Sequence, residues 1–135
     1  MGTIEHRKLF RVQTSIKIFY ESVRNPDIRG EAYTADVSSI GAQIIGRDPL
    51  EIGIELSVKF FIAEEKNPIF ALAKVIWQKN CQYAPESQKT YYATGLMLLD
   101  MSPDDAILTS DYIFDVAKNQ QLKCEKRIID QLESS

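Results

Sequence analysis

The sequence has little with which to build a metal centre or a disulfide framework: one histidine, His6, and two distant cysteines, Cys81 and Cys124, in 135 residues. A Cys/His metal cage is therefore not expected, and the cysteines are read as two reduced thiols. No apolar run approaches the length that spans a bilayer, so membrane insertion is not expected. The N-terminal stretch MGTIEHRKLFRV breaks its apolar residues with charge and lacks a signal-peptide core. His6 also stands where a myristoylation pattern needs Ser or Thr. A cytoplasmic location follows as the expectation. No G-x-S-x-G, P-loop or H-E-x-x-H pattern is present. His6, lone in a leader beside Arg7, has no partner for acid–base chemistry, so catalysis is not expected either.

A net positive charge is missing as well. The balance of −3 disfavours nucleic acid as a partner. Its distribution is uneven: residues 1–47 hold 7 Lys and Arg against 5 acids, whereas residues 48–135 hold 9 against 14. Five of the six arginines lie in that first third. Arginine presents a planar fork that matches phosphates and guanine edges. Many arginines with little net charge suit a compact anionic ligand better than a long polyanion.

What is present fits one soluble domain: 44% hydrophobic and 26% charged residues, enough to bury a core without staples. From Val12 the chain alternates, with Val12, Thr14, Ile16, Ile18 and Tyr20 on one strand face. Residues 30–37 form a second strand, with Tyr33, Ala35 and Val37 on one side, and residues 42–45 a third. Residues 54–62 alternate most cleanly, through Leu56, Val58, Phe60 and Ile62. Residues 69–78 put Ala71, Ala73, Val75 and Trp77 on one face, Trp77 being read as core or as a plug at a barrel end. A polar loop over 80–89 precedes a last strand over 90–99. Short connections between successive strands predict an antiparallel sheet closed into a barrel. At Ser102 the period turns helical, with Ser102 as N-cap, Pro103 at N1 and Asp104 and Asp105 facing the helix dipole. The division expected is a flexible arginine-bearing leader over 1–11, a barrel with its helix over 12–118, and a helical extension or tail over 119–135. The tail's Ile128, Ile129 and Leu132 share a helical face that docks on the barrel or on a partner, a second copy included, or else frays.

Two short patterns frame the first two strands: Arg7-x-x-x-Arg11, and Asp36-x-Ser38-x-x-Gly41 at a strand break. Each alone is weak. In this order, followed by Val75-Ile76-Trp77 and by Gly95-Leu96-Met97-Leu98 leading into the capped helix, they make the chain resemble the PilZ family of bacterial cyclic di-GMP receptors, over roughly residues 5–114. The resemblance implies an all-β fold with a C-terminal helix, a six-stranded antiparallel barrel whose arginine segment wraps cyclic di-GMP against the barrel surface. It implies Arg7, Arg11, Asp36, Ser38 and Gly41 as the ligand site, with His6, Lys8 and Ser39 as lesser contacts, and an effector protein as the output. The chemistry is apt. Guanidinium groups donate to guanine O6 and N7 or to phosphate, a carboxylate accepts from guanine N1–H and N2–H₂, and Ser38 donates or accepts. Gly41 permits close backbone approach or positive φ. Blander readings stay open beside these: a solvated basic leader for the arginines, and a turn-stabilising motif for Asp36 and Ser38. Two other functions also stay open: a barrel of this family that signals without ligand, and a small barrel that binds single-stranded nucleic acid.

Overall fold

The computed structural model describes residues 11–62, 66–81 and 90–134. Six strands, β1 (Lys17–Ser22), β2 (Arg29–Ser38), β3 (Gly41–Gly46), β4 (Glu55–Phe60), β5 (Ile69–Cys81) and β6 (Tyr91–Met101), precede one helix, α1 (Pro103–Glu133). They close into a barrel in the order β1-β2-β3-β6-β5-β4, every neighbouring pair antiparallel. The barrel and the single helix match the expected fold class, but the strands do not simply follow one another around it. Two three-stranded meanders are joined edge to edge, so β3 and β4 stand on opposite sides. The connection between them crosses one barrel end, and its Leu50 is buried in the core there.

Alternation in the sequence produces this core. Ile16, Ile18 and Tyr20 point inward from the first segment, Leu56 and Val58 from β4, and Val75 and Leu96 from β5 and β6. Residues 12–16 run beside β2 without joining the ladder. Val12 and Val37 exchange both backbone bonds at 2.9 Å, and the buried Thr34 hydroxyl donates to the Thr14 carbonyl at 2.5 Å and accepts from the Ile16 amide at 2.8 Å. The face predicted for β2 is split. A register shift between Thr34 and Asp36 leaves Tyr33 half exposed while Val37 packs against the core. An extra residue in one strand of a pair reverses the alternation beyond it.

Tyr20 is buried, with its hydroxyl against Gly30 and close to Asp48. Burial, reinforced by the Asp48 carboxylate and its hydrogen bond, pushes the phenol up to about 12. The unfolded chain releases that proton near pH 10, whereas the folded chain holds it, so this part of the stability is complete below pH 10 and is lost on rising to 12. The loss is expected to be about 2 kcal/mol, and Tyr20→Phe should remove it. Urea melts of both proteins at pH 9 and 11.5 check this. Parallel losses in the two would acquit Tyr20.

Helix α1 starts where the sequence placed it: the Ser102 hydroxyl accepts from the Asp105 amide at 3.2 Å. Thr109 and Ile113 are buried against the barrel, and the hydroxyls of Tyr112 and Thr14 share a 3.0 Å hydrogen bond. Its first turns therefore cover the barrel end opposite Leu50. The helix continues without a break for 31 residues, about 46 Å, and every described residue beyond Ala117 is exposed. Among the described residues, no helix is long and apolar enough to cross a membrane.

Candidate functional site

The β2–β3 hairpin carries the Asp36-x-Ser38-x-x-Gly41 pattern, and its geometry follows from those residue types. Ser38 is buried; its hydroxyl accepts from the Ile40 amide and donates to the Gly41 carbonyl, both at 3.3 Å. This is the turn-stabilising role that Ser supports. Gly41 does not take positive φ; among the described residues Gly53 is the glycine that does, at 98°. Close approach is what Gly41 permits, and the group approached is β6: a Cβ there would lie 2.1 Å from the Leu96 carbonyl oxygen. The Ile40 carbonyl then accepts from the Leu98 amide at 2.7 Å, tying the turn to the same strand.

Asp36 points outward beside the shift in β2. The Val12–Val37 bridge holds the end of the leader against this strand, and it brings Arg11 to Asp36 across 25 positions of sequence. The Arg11 guanidinium donates to the Asp36 carboxylate at 2.5 Å, with side-chain exposures of 57% and 22%. The pair is thus open to solvent and able to exchange partners. Ser39 lies half-buried in the turn. Arg7, His6 and Lys8 fall outside the described residues.

Trp77 belongs to this surface, contrary to the expectation of a core or plug position. A register shift between Val75 and Trp77 breaks the alternation that would have sent it inward after Val75. Its indole instead lies over Gly95, where a Cβ would meet the ring nitrogen at 2.1 Å, and the Lys79 ammonium stands 5.7 Å from the ring. Asp36 pairs with Gln43, Gln43 with Gly95, and Gly95 with Trp77. One outward cross-strand row therefore runs from the carboxylate to the indole over three strand spacings, about 14 Å. The sequence held one signal for it, a glycine in the strand next to a tryptophan, but pairing them needs the β5–β6 register.

The PilZ domain profile matches residues 5–115. The chain belongs to the PilZ domain family. Solved structures agree in fold. The PilZ domain with cyclic di-GMP of YcgR from Escherichia coli aligns with TM-score 0.63 at 15% identity, covering 87% of this chain and 95% of that one. The Bacillus subtilis inhibitor of motility (MotI/DgrA) aligns at 0.65 and 18%, covering 82% and 50%. Apo MrkH of K. pneumonia aligns at 0.69 and 16%, covering 84% and 52%. This PilZ chain thus spans about half the length of the latter two proteins. A comparison with curated protein sequences gives no significant match.

Proposed function

We propose that this PilZ chain is a receptor for cyclic di-GMP, a binding module and not an enzyme, and that ligand at the β2–β3 hairpin changes the surface offered to a partner protein. The observation that carries the reading is the meeting of Arg11 and Asp36 at the hairpin, because these two groups together complement one guanine. The guanidinium donates to O6 and N7. The carboxylate accepts from N1–H and N2–H₂. Ligand must replace their mutual bond, and that exchange separates a free from a bound arrangement. Arg7, four positions before Arg11 in the sequence, is assigned to the second guanine or to a phosphate. Ser38 holds the hairpin in shape, and Trp77 offers an aromatic plane on the same outer face.

The route from ligand to partner is read from the underside of the hairpin. Ser38, Ser39 and Gly41 share a cavity of about 110 Å³ with Ala106, Thr109 and Ser110 of α1. A hairpin that shifts on binding changes the floor on which the helix rests, and a ligand that prefers one arrangement moves that equilibrium.

Titration calorimetry with cyclic di-GMP and with cyclic di-AMP tests the reading. Adenine lacks the O6 acceptor and the N1–H and N2–H₂ donors. Each mismatched edge forfeits about 1–3 kcal/mol, so a preference of at least about thirtyfold for the guanine ligand is expected. Equal affinities would remove the guanine assignment. No binding of either would leave the ligand-independent interaction module as the reading.

A further inference from the structure

The half of α1 that leaves the barrel poses a physical problem. Near the barrel the Gln120 amide donates to the Gln13 carbonyl at 3.0 Å, and the described residues beyond it are all exposed. An isolated helix of some fifteen residues is marginal in water, and helices in proteins owe their stability mainly to an apolar face packed against something. That face exists on α1. Ile107, Phe114, Leu122, Ile129 and Leu132 are 61%, 58%, 53%, 52% and 70% exposed. At 100° per residue they fall on one stripe, opposite the buried Thr109 and Ile113. Asp111, Lys118 and Glu125 fill the gaps in the stripe.

The charges select an occupant. Residues 103–117 carry four acids, Asp104, Asp105, Asp111 and Asp115, and no base. Residues 118–134 carry four bases, Lys118, Lys123, Lys126 and Arg127, against three acids. Two such helices side by side in parallel set acid against acid and bring Lys118, Glu125 and Asp111 each against its own copy. Turned antiparallel about the middle of the stripe, Lys118 of each copy lies along Glu125 of the other and apolar positions meet apolar ones.

We propose that the outer stripe of α1 is a self-docking surface, through which two copies of this chain pair with their helices antiparallel. With the two-fold axis between positions 121 and 122, Phe114 faces Ile129 of the second copy, Lys118 faces Glu125, and Leu122 meets its own counterpart at the centre. The same register repeats on the other side of the axis, so both Lys118–Glu125 pairs form. Among the described residues the barrel buries the opposite face of its own helix, at Thr109 and Ile113, and leaves the stripe exposed. Pairing buries Phe114, Leu122 and Ile129, which stand 58%, 53% and 52% exposed in the single chain.

Sedimentation equilibrium of the full chain without ligand tests the proposal. The expected mass is twice 15.4 kDa, falling to the monomer on dilution. Leu122→Asp with Ile129→Asp should weaken association at least a hundredfold. Both positions are exposed, so the barrel should melt as before. Lys118→Glu alone should weaken association about tenfold, and adding Glu125→Lys should restore it. A chain that stays monomeric throughout, or a dimer indifferent to Leu122→Asp with Ile129→Asp, overturns the proposal. So does a charge exchange that is no better than the single change, because the antiparallel register requires the rescue.

Discussion

Gly41→Ala is expected to loosen the barrel at the β3–β6 seam and to cost about 3 kcal/mol, the upper part of the usual range for overpacking. The added methyl would sit 2.1 Å from the Leu96 carbonyl oxygen, 3.1 Å from its carbon and 3.3 Å from the Met97 Cα. All three are backbone atoms of a paired strand, so no side chain can swing away to make room. The strand itself must retreat, and Gly41 is paired with Met97 in that ladder. A fall of roughly 10 °C in the melting midpoint follows for a domain of this size. Gly53→Ala is the control. It meets nothing within 4 Å, and its penalty comes only from a φ of 98°, about 1 kcal/mol. Calorimetric melts that place the alanine variant at position 41 above the one at position 53 would refute the close-seam account. The prediction also assigns the glycine of the Asp36-x-Ser38-x-x-Gly41 pattern a packing duty, whatever it offers a ligand.

The parts of this fold that could be read in the sequence are those that local alternation controls. Leu56, Val58 and Phe60 alternate without interruption, and β4 pairs with β1 and β5 in unbroken register. The helix start was equally plain, because a Ser-Pro-Asp-Asp sequence satisfies free amide groups and the helix dipole within one turn. Register shifts were hidden. Nothing in Thr34-Ala35-Asp36 or Val75-Ile76-Trp77 marks an extra residue, since a bulge is a property of two strands together. Both shifts bear on the candidate site: one lies beside Asp36, the other turns Trp77 out of the core. The strand order was hidden for a related reason. Short loops suggest that neighbours in sequence pair in space, whereas the eight residues between β3 and β4 suffice to cross a barrel end with Leu50 beneath them.

The anchoring of residues 12–16 shows how chemistry outside the ladder builds the candidate site. Residues 12–16 read as strand and behave as strand at Val12, yet at Thr14 and Ile16 the Thr34 hydroxyl supplies two bonds beside one backbone bond, from the Thr34 amide to the Ile16 carbonyl at 2.9 Å. Thr34 is buried and uses its hydroxyl both as donor and as acceptor. The segment is thereby held in a path that ends with Arg11 beside Asp36. The acid, the arginine and the turn are then positioned by three independent sets of contacts: the Val12–Val37 bridge, the Thr34 hydroxyl, and the Ser38–Gly41 turn.

Arg11→Ala is expected to lower cyclic di-GMP affinity about ten- to a hundredfold, corresponding to about 1.5–3 kcal/mol for a hydrogen bond with a charged group, while leaving the fold intact. The two halves of this expectation have separate causes. The Arg11–Asp36 pair is solvent-exposed on the arginine side, and such pairs contribute about 0–1 kcal/mol to stability. Val12 and Val37 still hold the segment through backbone atoms. Ligand binding is expected to lose more, because the contact proposed for the guanidinium with guanine or phosphate is charge-assisted. Arg7→Ala should lose a similar amount. Asp36→Asn separates the two components of the site further. An amide keeps one acceptor but presents donors to the guanine N–H groups, and it releases Arg11 from competition. Its affinity should therefore fall, and discrimination against cyclic di-AMP should fall with it, whereas Arg11→Ala weakens binding without improving the fit of adenine at the carboxylate. Calorimetric titration of each variant with both nucleotides, beside its thermal melt, distinguishes these outcomes. A folded Arg11→Ala protein that binds like the parent would remove Arg11 from the ligand site and leave its bond to Asp36 a purely local contact.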